Sequence, residues 1–198
     1  MPDNPISRQS FATFAEWREF VLRFNLRHAI PPIVSAKFER AQKLLLLTWA
    51  DFDLIRASEL VALTALETAV RDRYGGGEIE RRRRIVAEKA KKKKREVFKK
   101  EREWADKTTF ADLLKYMVEH DGLTEAQVPM NRRCGPNSKV IGLLTGGDKP
   151  TDPRPTLVQI RNNLMHGAPF DDPRAGLLEL VRDLIDYAYR DWNLHAVP

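Results

Sequence analysis

The chain has 198 residues, of which 42% are hydrophobic, and it carries a formal net charge of +6. This hydrophobic content supports a folded core and excludes an intrinsically disordered chain. Cys134 is the only cysteine, which excludes an internal disulfide and a zinc site built on several thiolates, so a reducing, cytoplasmic location is expected. The N-terminal residues lack the pattern of a signal peptide, and the longest apolar run is too short to span a bilayer, so no membrane association is expected.

The positive charge is concentrated in one segment. Between residues 78 and 103 thirteen Lys and Arg stand against six Glu, a local charge of +7, and the rest of the chain sums to −1. The basicity therefore belongs to one structural element and not to the whole surface.

Helical periodicity dominates the N-terminal half. Residues 10–24 place apolar side chains three and four apart, and Pro31 and Pro32 separate this first helix from a second over 34–50. These two helices form a predicted N-terminal extension, residues 1–50, before a helical bundle over 51–198. The bundle opens with a helix over 53–74 that has a broad apolar stripe with Glu67 inside it. The triple glycine 75–77 is expected to end that helix, because glycine readily adopts the left-handed conformation of helix C-termini.

The basic segment, residues 78–104, contains no Gly or Pro and predicts one long helix. Its apolar residues recur at intervals of 7, 4, 7 and 7, which indicates a thin contact face under a charged coat. These residues are Ile79, Val86, Ala90, Val97 and Trp104. Thr108 or Thr109 is expected to cap a following helix over 110–119.

The C-terminal part combines a long loop with two helices. Residues 124–154 are rich in Pro and Gly and predict a loop with at most a short helix near 139–144. The final two helices are expected over 155–166, closed by Gly167, and over 173–192. The whole pattern predicts an all-α protein.

The helix over 155–166 carries side chains suited to cutting RNA without a metal. Histidine is the residue type suited to proton transfer near neutrality, which makes His166 the candidate general base or acid. Arg161 can hold a phosphate through its planar fork, and Asn162 can orient either group. Asn162 and His166 are four residues apart and share a helix face, whereas Arg161 and His166 lie about 140° apart around the axis. Either the helix distorts near Gly167, or a second copy completes the site at a two-fold axis. The second alternative is preferred and predicts a homodimer.

The run from Arg161 to Gly167 resembles the Arg-x4-6-His motif of HEPN domains. The resemblance implies an up-and-down bundle of four to five core helices, dimerisation and metal-independent endoribonuclease activity that leaves 2′,3′-cyclic phosphate ends. It also implies a toxin–antitoxin, abortive-infection or other defence setting, with an antitoxin or other regulatory protein as partner and no cofactor or metal. Toxins regulated by nucleotide modification often carry a Tyr two residues after the His. Ala168 occupies that position here, so regulation of that kind is not expected.

Each site residue also has a structural interpretation. Arg161 and Asn162 could bond loop carbonyls or a carboxylate such as Asp171, and His166 could simply be favoured by the helix dipole. Glu67 is either a buried hydrogen-bonding partner or a catalytic residue that orients the site. The other histidines, His28, His120 and His195, have no matching partners and are expected to be non-catalytic. The alternative function is therefore a non-catalytic HEPN-like module that binds nucleotide, RNA or a protein partner.

The basic segment has two interpretations as well. It is a solvated helix face, or it follows an RNA backbone in a salt-sensitive and sequence-tolerant way. With only Phe98 and Trp104 as aromatic residues, the sequence does not predict base stacking. The predicted RNA-binding residues are Arg81, Arg82, Arg83, Arg84, Lys91, Lys92, Lys93, Lys94 and Arg95.

Overall fold

The computed structural model describes residues 11–27, 30–134, 139–146, 155–167 and 176–192. Over these ranges the chain forms helices and no strand, which confirms the predicted all-α class. None of the described helices is both long and apolar enough to cross a membrane. In chain order, the α-helices are α1 (Phe14–Leu22), α2 (Pro32–Leu47), α3 (Leu54–Lys92), α4 (Lys99–Asp106), α5 (Phe110–Glu119), α6 (Pro129–Cys134), α7 (Val140–Thr145), α8 (Leu157–Met165) and α9 (Leu177–Ala188).

Helix α3 is the centre of the fold, and α2, α5, α8 and α9 all pack against it. Leu63, Leu66 and Val70 of its apolar stripe are fully buried, together with Phe38 of α2 and Leu184 of α9. Burying each of these side chains stabilises the fold by roughly 1.5–3 kcal/mol. The apolar stripe predicted in the first half of α3 is therefore its core face.

Helices α1 and α2, from the predicted N-terminal extension, join the same hydrophobic core. Trp17 and Val21 of α1 are buried in the cluster that contains the α3 stripe. The indole N–H of Trp17 donates to the Leu46 carbonyl at 3.3 Å, which fixes α1 on α2. The division at residue 50 thus separates two sequence segments that share one core.

The prediction that the triple glycine ends a helix is wrong, because α3 runs through it to Lys92. Gly77 explains why a glycine stands at this point. A Cβ atom there would lie 2.8 Å from the hydroxyl oxygen of Tyr116, so the glycine lets α5 approach α3 closely. Gly76 has no neighbouring atom that a Cβ would meet. The interhelical contact at Gly77 and the helix on both sides outweigh the low helix propensity of glycine, about 1 kcal/mol per residue.

The prediction of one helix over 78–104 is also wrong, because the segment folds back on itself. α3 ends in a Schellman turn, in which the Arg95 and Lys94 backbone N–H groups donate to the Ala90 and Lys91 carbonyls, both at 3.1 Å. Lys94 takes the left-handed position, with φ of 48°. α4 then packs back along α3 and makes no comparable contact with another described helix. We call this helical hairpin, residues 78–106, the basic arm.

The basic arm has a thin apolar seam. Val86 and Ala90 of α3 and Ala105 of α4 are buried, whereas Trp104 is exposed. The predicted contact face is therefore confirmed at Val86 and Ala90 and wrong at Trp104.

The C-terminal half contains more helix than its Pro and Gly content predicts. The short helix expected near 139–144 is α7, whereas α6 and a 3₁₀ helix, Glu125–Gln127, were not expected. Glu125, 15 positions earlier in the chain, stabilises the N-terminus of α7, since its carboxylate accepts from the Val140 and Ile141 backbone N–H groups at 3.1 and 2.9 Å. The predicted helices over 155–166 and 173–192 correspond to α8 and α9, and Thr109 caps α5 as expected.

Candidate active site

Helix α8 presents the predicted catalytic residues at its C-terminal half. Its N-terminus is fixed by a capping box in which the Gln159 backbone N–H donates to the Thr156 hydroxyl at 3.2 Å, and the Thr156 backbone N–H donates to the Gln159 side chain at 2.8 Å. Leu157 and Ile160 are buried and anchor one face of the helix on the core. The remaining face of this short helix is thereby turned outwards.

Arg161 is held by Glu67, which lies 94 positions earlier in the chain on α3. The Arg161 guanidinium Nη2 donates to the Glu67 Oε2 at 2.8 Å, and Nη1 donates to the Asn162 Oδ1 at 3.2 Å. Glu67 also accepts from Arg71 at 3.1 Å. The structure therefore brings together three of the four predicted catalytic residues, and it places Glu67 as a residue that positions Arg161.

The side chain of Arg161 is held by its neighbours and is partly exposed. It retains 27% of its accessible surface, and the Glu67 side chain retains 19%. In the part of the chain that the structure describes, the buried Nε of Arg161 meets no acceptor, so its contacts with Asn162 and Glu67 are made through Nη1 and Nη2.

His166 ends α8 and is exposed. Its backbone N–H donates to the Asn162 carbonyl at 3.0 Å, which keeps His166 on the Asn162 side of the helix, and Gly167 then turns left-handed with φ of 65°. No hydrogen bond among the described residues joins the imidazole to Arg161.

The other residues considered for the site lie elsewhere. His120 is exposed at the end of α5, where its ring contacts Tyr116 at a centroid distance of 4.9 Å. His28, Ala168, Asp171 and His195 fall outside the described residues. Among the residues that are described, no three His, Cys, Asp or Glu side chains lie close enough together to hold a metal ion.

The predicted RNA-binding cations fall into two sets, and the first set is tied to carboxylates within the arm. Arg81 and Arg82 both donate to Glu78 at 2.6 Å, Arg83 to Asp106 at 2.7 Å, and Arg95 to Glu101 at 2.7 Å. Arg84 contacts Glu80 more loosely, at 3.4 Å. The Arg95 hydrogen bond lowers the pKa of Glu101 to about 2. The second set, Lys91 to Lys94, is exposed around the Schellman turn.

Arg82 is buried and braces the base of the arm. Besides Glu78, it contacts Asp112 of α5 at 2.6 Å and donates to the carbonyls of Trp104 and Lys107 at 3.3 and 2.8 Å. Those carbonyls belong to the C-terminal end of α4, where backbone acceptors lack helical partners. Because all of these contacts are made within the protein, Arg82 has a structural role. The spacing of Glu78 three and four residues before Arg81 and Arg82 was the signal in the sequence that could have shown this.

A cavity of about 620 Å³ opens elsewhere, between the α1–α2 connection and α9. Arg27, Arg182, Asp183 and Asp186 line part of it. Burial raises the pKa values of Asp183 and Asp186, and each carboxylate accepts a backbone N–H, from Met130 at 2.7 Å and from Arg27 at 3.1 Å. The cavity shares no residue with the α8 site.

No protein-family model, curated protein or solved structure matches this chain.

Proposed function

We propose that the protein is a metal-independent endoribonuclease of HEPN type. His166 takes the proton from an RNA 2′-OH, whose oxygen attacks the adjacent phosphorus while the P–O bond to the 5′-oxygen breaks. A water molecule protonates the leaving 5′-oxygen, and the imidazolium of His166 returns its proton to the solvent, so the products carry a 2′,3′-cyclic phosphate and a 5′-hydroxyl. Arg161 stabilises the charge that builds on the phosphoryl oxygens, and Asn162 orients the phosphate or the imidazole.

The observation that carries this proposal is the Glu67–Arg161 ion pair. A catalytic cation must be fixed before the reaction and must still have donors for the substrate. The contacts of Arg161 fit these conditions, because Glu67 on the central helix holds one of its nitrogens while the side chain stays partly exposed. Glu67 acts through Arg161 and does not touch the RNA.

We further propose that the active form is a homodimer. Arg161 and His166 of one chain point about 140° apart around the α8 axis, so a phosphate between them needs a contribution from a second chain. Two α8 helices that meet at a two-fold axis would place Arg161 of one chain near His166 of the other. The exposed side chain of Met165, between these residues, supplies apolar surface for that contact.

In this proposal the basic arm binds the RNA backbone, and the exposed lysines 91–94 contribute most because no carboxylate of the described residues neutralises them closely. The defence-type setting and an antitoxin partner belong to the same proposal, since they follow from the HEPN resemblance alone. A cytoplasmic location is proposed as well, from the single cysteine of the chain.

RNA cleavage in excess EDTA tests the proposal. The wild-type protein should cut single-stranded RNA, and His166→Ala should lower the rate by roughly 10²–10⁴-fold, the usual contribution of a general acid or base. His120→Ala is the matched control, because it removes another exposed histidine and should leave the rate unchanged. Products with 5′-phosphate ends, or a His166→Ala variant as active as the control, would contradict the mechanism and favour a module that binds RNA without cutting it.

Mixed dimers test the shared site. Chains that carry Arg161→Ala and chains that carry His166→Ala are each expected to be inactive alone. Mixing them should restore cleavage at one of the two composite sites, because one pair of wild-type Arg161 and His166 then meets across the interface. Complete inactivity of the mixture, with sedimentation showing that mixed dimers form, would place each active site within a single chain.

A further inference from the structure

Two large aromatic side chains are exposed on the basic arm. Phe98, at the start of α4, retains 61% of its accessible surface, and Trp104, near its end, retains 48%. Of the four tryptophans, Trp17 is buried and Trp49 and Trp192 are half-buried, so Trp104 is the most exposed. The buried residues of the arm are Val86, Ala90 and Ala105, and neither aromatic ring is buried with them. Burying the rings would have added stability.

Each ring is backed by an arginine that is itself held by a carboxylate. The guanidinium carbon of Arg95 lies 4.2 Å from the centroid of the Phe98 ring, and that of Arg82 lies 4.7 Å from the Trp104 ring. Glu101 holds Arg95, and Glu78 holds Arg82. The two rings are thereby fixed before any ligand binds, which lowers the entropic cost of using them for recognition.

The surroundings of the rings are cationic. Lys99 and Lys100 follow Phe98 directly, Arg102 precedes Trp104 by two positions, and the exposed lysines 91–94 lie at the turn that leads to Phe98. Aromatic rings fixed among phosphate-binding cations are the combination that binds single-stranded nucleic acid, in which bases stack on the rings and cations bind the backbone. An apolar protein partner would require a larger continuous apolar patch.

We propose that the basic arm binds single-stranded RNA, with unpaired bases stacked on Phe98 and Trp104. The inference rests on the proposed function for the identity of the ligand, but it does not depend on cleavage. It assigns the arm a preference for unpaired over paired RNA, since the bases of a duplex are stacked on one another and are not available to the rings.

Binding to a 2′-O-methylated RNA 12-mer tests this inference, because such an RNA lacks the 2′-OH that the proposed reaction needs. The full-length protein should bind the single strand more tightly than the same strand paired with its complement. Trp104 emission, isolated by subtracting the spectrum of Trp104→Phe, should be quenched by the single strand and not by the duplex.

Two sets of substitutions separate stacking from charge. Phe98→Ala with Trp104→Ala should weaken single-strand binding by roughly tenfold or more, without changing the slope of log K against log salt concentration. Replacing lysines 91–94 with Gln should flatten that slope, by roughly 0.7 for each phosphate that the arm no longer neutralises. Phe14→Ala with Phe52→Ala removes two exposed phenylalanines outside the arm and should bind as the wild type does. Trp104→Phe keeps a ring above Arg82 and should retain most of the affinity.

The inference is overturned if the Phe98/Trp104 double variant binds the single strand as tightly as the wild type, or if strand and duplex bind equally. In either case the arm is a purely electrostatic or protein-binding element. Cleavage of unmodified RNA, measured in parallel, keeps this result separate from the proposed function. Unchanged binding with intact cleavage rejects only the stacking role, whereas stacking-dependent binding without cleavage rejects only the nuclease.

Discussion

Helix α3 supplies two glutamates that each bind an arginine, in the pairs Glu78–Arg82 and Glu67–Arg161. The two pairs differ in how deeply they are buried and in how many acceptors contact the arginine. Glu78 and Arg82 retain 2% and 6% of their side-chain surface, and Arg82 is surrounded by carboxylate and carbonyl acceptors. Glu67 and Arg161 are both partly exposed, with 19% and 27% of their side-chain surface accessible. The same two residue types thus form a buried structural pair in one place and a partly exposed pair in the other.

The difference shows how a structural arginine can be told from one available to a ligand. A buried guanidinium is stable only when its charge and its N–H groups are satisfied by the protein. Arg82 is satisfied in this way, and it fastens the basic arm to α5. Among the described residues, Arg161 is held by one carboxylate and a neighbouring amide, and its side chain is partly exposed, as the proposed role of binding a phosphate requires.

Glu78→Ala should have the largest effect, because it leaves Arg82 buried beside the lone carboxylate of Asp112. Removal of one partner from a buried ion pair costs about 3–5 kcal/mol. Glu67→Ala should cost less than about 1 kcal/mol, since exposed ion pairs contribute little. Urea unfolding monitored by circular dichroism measures both, and Glu80→Ala is the control on the same helix, because the Glu80–Arg84 pair is largely exposed. Equal costs for Glu78→Ala and Glu67→Ala would remove the distinction between the pairs.

Glu67→Ala should instead show its effect in catalysis. Loss of the carboxylate frees the guanidinium, and a transition-state loss of about 1.4 kcal/mol lowers kcat about tenfold. Glu67→Gln keeps one acceptor for Arg161 and should fall between the wild type and Glu67→Ala. Steady-state kinetics on single-stranded RNA provide the measurement, with Glu80→Ala as the control. If only KM changes, Glu67 acts on binding and does not position Arg161 for the reaction.

The stability contributed by Glu78 should depend on pH in the acid range. Burial opposes ionisation, but hydrogen bonds from Arg81 and Arg82 outweigh it and lower the pKa of Glu78 below its ordinary value of 4.5. The folded state therefore favours the carboxylate, and this stabilisation is full above the unfolded pKa and is lost as the pH falls through the folded pKa. The difference in unfolding free energy between the wild type and Glu78→Gln should shrink as the pH is lowered from 7 towards 3. A constant difference over that range would contradict the assigned cause.

Two of the three glycines in the middle of α3, Gly76 and Gly77, should differ in the effect of an alanine substitution on stability. Gly76→Ala should stabilise the protein by roughly 0.5–1 kcal/mol, because alanine favours the helix and its Cβ meets no neighbour. Gly77→Ala gains the same propensity but places its Cβ against the Tyr116 hydroxyl. Thermal unfolding should therefore rank Gly76→Ala above Gly77→Ala. An equal gain would mean that Tyr116 moves aside without cost.

The sequence predicted those features that local chemistry decides. The Thr109 cap, the apolar stripe of α3 and the short helix α7 each depend on neighbouring residues or on simple periodicity. The two wrong helix boundaries were predicted wrongly because neither is decided by the local residue type. The glycines that should have ended α3 are held in the helix by its contact with α5, and the turn that does end it uses Lys94, a residue that gives no local signal for a left-handed conformation.

The candidate site was predictable only in part, because some of its contacts join residues that are far apart in the chain. The order of Arg161, Asn162 and His166 is visible as a motif within six residues. The pairing of Glu67 with Arg161 joins residues far apart in the chain, and no spacing rule connects them. The exposure of Phe98 and Trp104 depends on how the arm folds back, so counting the aromatic residues of the segment does not measure how many of them a ligand can reach.

The continuity of α3 through its glycines has a consequence for substrate length. With a rise of 1.5 Å per residue, the 24 residues from Glu67 to Lys91 separate the α8 site from the tip of the arm by about 36 Å along one unbroken helix. In the proposed function the helix would act as a ruler, because an RNA bound at the tip would present to Arg161 only those phosphates that lie at this distance. Oligonucleotides too short to span it would occupy the tip or the site, but not both.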